Sequence, residues 1–294
     1  MRLGLSATSP IKRRNGFYLE DSKYYYKATT TDFDDMTAVT VLAFASVCSG
    51  NTDPYGDLFG INQDATNDLG FRLYARGSQI TLSLFATADG SGSMNTSSIN
   101  MDANASSGDG VDTIYGRFGG HEVGSTGHKF QSTSYTTALV GIFDASATND
   151  TKVLSVNSQG TAFEESNSNV ANLGTMGTNG KIHAGYGGFG IANNPGQILH
   201  KICVWDSALS ASDISKLTGR TVTFADSLDF DGNFSDVNRF KRNYSKIGVS
   251  TPTYEWDFSS GWENTGLIGN IVDEEGSVHN LTASGNPKRR TFIN

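Results

Sequence analysis

Cysteine and proline are scarce in this chain, at 2 and 5 of 294 residues, and charged side chains make up only 18% of it. Cys48 and Cys203 lie far apart, with no Cys-x-x-Cys or Cys/His ligand spacing, so neither a disulfide framework nor a zinc site is expected. Both sit in apolar runs and read as buried free thiols, which pack as small hydrophobes. Positive charge is also short: 22 Lys and Arg stand against 30 Asp and Glu, a net charge of -8. That balance repels phosphate and argues against nucleic acid or an anionic membrane as partner. No apolar run is long enough to span a bilayer, and the first residues follow their charges with no sustained apolar stretch, so no secretory signal is expected. The absences together suggest a soluble protein made in a reducing compartment.

What the chain does have is glycine, 34 residues of it, among abundant Ser, Thr, Asn and Asp. These residues favour turns and solvent-facing strand positions, and they compete with the backbone inside helices. Strand-like text begins at residues 16–20 and 23–27 and continues through 36–45, where Val39 and Val41 favour a pleated strand. Runs at 58–61, 71–75 and 79–85 follow, and Ile80, Leu82 and Leu84 share one face of the last. Arg76-Gly77-Ser78 reads as a tight hairpin connection. Residues 86–112 are poor in large apolar side chains and predict a long loop or insertion, suited to mobility or to assembly contacts. Strand rhythm resumes at 135–144, 152–157, 181–187 and 197–206. One helix is predicted after Ser210, its N-cap, with Asp213 three residues on, Ile214 and Leu217 on one face and Gly219 as the stop. One short helix among about a dozen strands is the pattern of a β-sandwich.

Within residues 135–219, the text Gly196-Gln197-Ile198, Cys203-Val204-Trp205-Asp206, Ala208-Leu209-Ser210 and Asp213-Ile214 with Leu217 resembles the laminin-G-like/concanavalin A-like family. Mechanically, Trp205 ends a buried strand, Leu209 tucks beneath the sandwich, and a single helical turn covers the sheet edge. Val140-Gly141-Ile142-Phe143-Asp144 and residues 153–160 resemble the family's paired strands, with Ser158-Gln159 intervening before Gly160. Tyr254-Glu255-Trp256-Asp257-Phe258 and residues 271–282 resemble text that ordinarily opens such a domain, yet here it comes last. The resemblance implies an all-β, antiparallel jelly-roll sandwich with one short helix. The expected organisation is an arm at 1–15, the sandwich at 16–219 with its insertion at 86–112, and a C-terminal extension at 220–294. That extension either folds back to complete the sandwich or forms a small separate module, and folding back is favoured because so few large apolar groups make a marginal core.

Catalytic chemistry is mostly missing. Glucanases of this fold carry spaced carboxylates on one strand, E-x-D-x-x-E, so that all project to one face. Glu164-Glu165 and Asp273-Glu274-Glu275 are instead adjacent acids. The five histidines, His121, His128, His183, His200 and His279, show no metal-ligand spacing. Asp229-Phe230-Asp231-Gly232-Asn233 invites a calcium reading, but Phe240 stands where the loop needs a bidentate Glu, and an Asp-Gly turn is preferred. Gly185-Tyr186-Gly187-Gly188-Phe189-Gly190 reads as a hairpin, since no Lys-Ser/Thr helix follows it. No cofactor is expected, and calcium lacks a complete motif.

The arrangement resembles laminin-G-like proteins encoded among the structural genes of tailed bacteriophages. It therefore implies a non-enzymatic virion structural protein, a capsid decoration, fibre or tail-associated component, made in the host cytoplasm and held on the particle by other virion proteins or as a homo-oligomer. Lys12, Arg13, Arg14, Lys288, Arg289 and Arg290 are its candidate assembly contacts, docking on an acidic neighbour, or else they are solvated chain ends. The alternative is a lectin module for host-surface glycans, with Tyr24, Tyr25, Tyr26 and Tyr74 as stacking platforms on a concave sheet. A glycoside hydrolase is the third and least favoured reading.

Overall fold

Period-two alternation writes most of the strands, because successive side chains of a pleated strand point to opposite faces. The computed structural model describes residues 13–19, 23–28, 31–46, 55–62, 70–76, 79–85, 94–100, 137–156, 161–167, 170–176, 181–185, 197–219, 224, 244–258, 271–275, 279–285 and 287–293. β1 (Arg13–Leu19) and β2 (Tyr24–Ala28) lead through a 3-10 turn at Thr31–Phe33 into β3 (Ala38–Ser46). A meander follows: β4 (Tyr55–Asn62), β5 (Gly70–Arg76), β6 (Gln79–Phe85) and β7 (Met94–Asn100). Then come β8 (Thr137–Asp144), β9 (Thr151–Val156), β10 (Thr161–Ser166), β11 (Lys181–Gly185) and β12 (Gln197–Trp205). α1 (Ala211–Thr218) and the one-turn α2 (Tyr244–Ile247) precede β13 (Tyr254–Asp257), β14 (Thr282–Ser284) and β15 (Lys288–Ile293).

All these strands pair antiparallel in two sheets. The eight-stranded sheet runs β10-β9-β8-β3-β12-β1-β15, with β13 also on β12, and the seven-stranded sheet runs β14-β2-β11-β4-β5-β6-β7. This is the antiparallel two-sheet sandwich expected from the sequence. Along one side β12 carries β1 at residues 197–199 and then β13 at 201–204. β13 and β15 thus belong to one sheet and β14 to the other.

The principal core lies between the sheets. Val39, Val41 and Ala43 of β3 face Phe59 and Ile61 of β4, Phe71 and Leu73 of β5, and Trp256 and Phe258 from the C-terminal segment. Full burial of each large side chain contributes about 1.5–3 kcal/mol. A second core covers the outer face of the eight-stranded sheet: Leu42, Val140, Leu154, Cys203 and Trp205 pack against Leu209, Ile214, Leu217 and Tyr244. The centre of the eight-stranded sheet is therefore apolar on both faces, and β3 and β8 read as nearly continuous hydrophobic runs rather than as an alternation.

α1 forms where the sequence places it. Ser210 and Asp213 make a reciprocal capping box, and Gly219 closes the helix in the left-handed region at φ 71°. The Thr40 hydroxyl donates to the Ser207 carbonyl at 2.8 Å and accepts from the Leu209 amide at 2.9 Å, pinning the strand-to-helix connection onto β3. The Trp205 indole donates to the Ser250 carbonyl at 2.8 Å. Rather than one turn over a sheet edge, α1 is two turns laid on a sheet face, because its Ile214 and Leu217 need an apolar floor. A further correction concerns 86–112: β7 lies inside it and pairs with β6 from Gln79↔Asn100 to Phe85↔Met94. Its polar text misled because an edge strand needs ladder partners more than apolar side chains. The Asp229–Asn233 and Tyr186–Gly190 segments, Cys48, His121 and His128 lie outside the described residues.

Candidate functional face

The second core occupies the outer face of the eight-stranded sheet, and on the outer face of the seven-stranded sheet the exposed aromatic among the described residues lies at the β14–β2 end. On β2, Tyr25 is fully buried, edge-on to Phe17 at 4.9 Å and against Phe258 at 5.4 Å. This corrects the expectation that Tyr25 contacts a glycan: alternation turns its ring into the core. The same alternation turns Tyr24 and Tyr26 outward, with ring centroids 5.6 Å apart. Tyr26 is 39% exposed, and among the described residues it is the exposed large aromatic.

The ladder surrounds this pair with polar groups. Thr282 of β14 stands opposite Tyr26 and Ser284 opposite Tyr24, so two hydroxyls border the rings at the sheet edge. On the other side His183 of β11 stands opposite Tyr26, then Gly60 of β4 opposite His183, then Arg72 of β5 opposite Gly60. The face descends along this row, from Tyr26 to His183 at 2% and Arg72 at 4% exposure. Tyr74 lies two residues beyond Arg72 on β5, and its side chain is outside the described residues.

His183 is held neutral. Its Nδ1 lies 3.2 Å from the Gly185 carbonyl, which only accepts, so Nδ1 carries the proton and Nε2 presents a lone pair. Burial first, with the Arg72 and Lys181 charges behind it, lowers the imidazole to about 4 against the opposing Gly185 bond. No hydrogen-bond donor among the described residues reaches Nε2. Glycine at position 60 makes room for the ring: a Cβ there would meet Nε2 and Cε1 closer than real Cβ atoms come, and Arg72 Cβ at 3.2 Å.

His279, Asp273 and Glu165 make contacts within the fold. His279 is buried with Nε2 2.8 Å from Asp32 Oδ2, and its ring packs on Phe33 at 5.8 Å and Tyr254 at 4.7 Å. The Trp256 indole donates to the His279 carbonyl at 2.8 Å, so this joint seats the C-terminal segment on the 3-10 turn. Asp273 Oδ1 accepts from the Glu255 and Glu275 amides, and Glu165 accepts from the Asn149 side chain at 2.8 Å. No group of three His, Cys, Asp or Glu among the described residues is placed to hold a metal.

Of the basic candidates, Lys12 lies outside the described residues, and the other five fall on two paired strands. Arg13 and Arg14 stand opposite Ile293 and Phe292, and Lys288, Arg289 and Arg290 opposite Tyr18, Phe17 and Gly16. The structure brings the two basic groups together at the β15 edge of the eight-stranded sheet. The sequence reading missed His183, Gly60, Thr282 and Ser284. The outward position of His183 in Lys-Ile-His-Ala-Gly was a signal, but its neighbours come from strands far away in the chain.

No family model and no curated protein matches this chain. Among solved structures it is similar to a NanB sialidase of Streptococcus pneumoniae, at 14% identity and TM-score 0.46 over 68% of this chain and 27% of that one. It is also similar to the heptameric SAP-like pentraxin of Limulus polyphemus, at 14% identity and TM-score 0.42 over 77% and 95% of the two chains. A third is the CBM40 of a Ruminococcus gnavus IT-sialidase bound to sialyllactose, at 13% identity and TM-score 0.42 over 68% and 94%. The chain spans between about a quarter and two fifths of the length of the sialidases it matches.

Proposed function

We propose that this chain is a glycan-binding β-sandwich module whose site is the outer face of the seven-stranded sheet around Tyr24 and Tyr26. The observation that carries the reading is the outward Tyr24–Tyr26 pair, with Tyr26 39% exposed at the β14–β2 end of the sheet. A tyrosine face offers a sugar ring apolar C–H contact, and its hydroxyl offers a hydrogen bond. Thr282 and Ser284 border the rings with groups that both donate and accept, matching the mixed hydroxyl pattern of a saccharide. His183 and Gly60 act behind them as positioning residues: the buried ring fills the row beside Tyr26 and holds its lateral placement. Binding without catalysis fits the acids, which are engaged in backbone and side-chain hydrogen bonds at Asp273 and Glu165. A glycan array followed by titration calorimetry tests this. Saturable binding that Tyr26→Ala abolishes while the protein stays folded is expected; no binding, or binding indifferent to Tyr26→Ala, overturns it.

A second reading is attachment to a virus particle as a structural component, and the pairing of β1 with β15 favours it. Five basic residues on these two strands, in a chain of net charge -8, suit an acidic neighbouring subunit at the β15 edge. Co-sedimentation with assembled particles that is lost on Arg289→Glu with Arg290→Glu is the expected result. A chain that stays free of particles under all salt conditions rejects it.

A further inference from the structure

A group of buried reactive side chains sits apart from the glycan face. On β12, Ile202 and Val204 point into the inter-sheet core, so Lys201 and Cys203 point to the opposite face. On β13, Glu255 stands opposite Cys203, and Asp257 opposite Lys201. Lys201 and Glu255 are therefore diagonal neighbours on one sheet face, a spacing that long side chains bridge. They do meet: the Lys201 Nζ contacts Glu255 Oε1. Glu255 is fully buried and Lys201 is 8% exposed. From α2 the Tyr244 hydroxyl donates to Glu255 Oε2, and Cys203 Sγ lies 3.7 Å from that hydroxyl. Trp205 closes the cluster edge-on to Tyr244 at 6.2 Å.

Removing an ammonium and a carboxylate from water carries a desolvation penalty that their attraction only partly offsets. The Nζ–Oε1 contact gives the ammonium proton a direct route to the carboxylate, the transfer that condensation of the two groups requires. The two side chains touch through Nζ and Oε1, held by two paired strands and shielded from bulk water, so the amine left by that transfer is placed beside the carboxyl group it would attack. We propose that Lys201 and Glu255 are joined by an intramolecular amide bond, formed by condensation of their side chains once β12 and β13 have paired.

The step balances without a co-reactant. The Nζ lone pair attacks Glu255 Cδ and forms the C–N bond. The bond from Cδ to Oε1 breaks, and Oε1 leaves as water with the acid proton and one proton from Nζ. Oε2 becomes the amide carbonyl. The Tyr244 hydroxyl, already donating to Oε2, stabilises the negative charge that collects there in the tetrahedral intermediate. It remains a donor, since burial foremost pushes the phenol far above its ordinary range. The product replaces two buried charges with one neutral amide, and it closes the chain between residues 201 and 255 into a covalent loop that contains α1 and α2.

Mass spectrometry of the denatured full-length chain tests the proposal. The expected mass is that of the sequence less one water, with proteolysis giving a branched peptide that joins Lys201 to Glu255. Lys201→Met should restore the full mass, and Tyr244→Phe should leave a mixture of bonded and unbonded chains. A folded wild-type chain of full sequence mass overturns the proposal, as does a water loss that maps elsewhere. The wild-type measurement decides even if Lys201→Met fails to fold.

Discussion

The imidazole of His183 lies over Gly60, in the space that a side chain at that position would need. Two strands distant in sequence, β4 and β11, are thus fitted to each other by the absence of one carbon. Gly60→Ala should force the ring aside and destabilise the fold by about 1–3 kcal/mol, the usual scale of overpacking. Because His183 flanks Tyr26 in the ladder, the variant should also weaken the glycan binding we propose for that face. Urea unfolding beside calorimetric titration checks both; unchanged stability would show that the ring is not confined.

His183 predicts a pH dependence of known sign. Burial lowers it from the usual 6.5 to about 4, so between these values the unfolded chain binds a proton that the folded chain excludes. Its contribution is complete above pH ~6.5 and is lost as pH falls toward 4, on the order of 3 kcal/mol in all. The stability difference between pH 7 and pH 4.5 should therefore shrink in His183→Gln. Parallel losses in the two chains would reject this assignment.

Neighbouring tyrosines should separate binding from folding. Tyr25→Ala opens a cavity in the inter-sheet core and should destabilise by about 3–5 kcal/mol. Tyr26→Ala removes an exposed ring and should cost no more than about 1 kcal/mol while eliminating the proposed glycan affinity. Thermal unfolding of both variants, with binding measured below the lower midpoint, checks the contrast. Equal destabilisation would mean that the outward face of β2 is buried.

At the N-terminus of α1, the Ser210 hydroxyl accepts from the Asp213 amide, and the Asp213 carboxylate accepts from the Ser210 amide and hydroxyl. Ser210→Ala should destabilise by about 1 kcal/mol. Since Ile214 and Leu217 cover the second core, the loss should be visible in global unfolding rather than as local fraying. Hydrogen exchange confined to α1 with an unchanged urea midpoint would contradict that coupling.

Several elements were legible in the amino-acid text because their causes are local. The β-branched run of β3, the pairing of Arg76 with Gln79 across a two-residue connection, and the helix at Ala211–Thr218 with its caps each depend on residues close together in the chain. The antiparallel sandwich class followed from them. β7 was illegible since its polar residues carry no hydrophobic period, and α2 because one turn leaves too few positions to show one.

Residue order makes Tyr24, Tyr25 and Tyr26 alternate between two faces of β2; which of those faces is core is settled by packing, with Phe17 and Phe258 set against Tyr25. The sequence likewise contained both basic groups, Lys201 and Glu255, but not their meetings. Those depend on β1 pairing with β15 and β12 with β13, contacts between segments far apart along the chain. Local propensity acts over a few bonds and so can be read in order. Long-range pairing is settled by which faces must be buried together, a condition that exists only once the sheets have assembled.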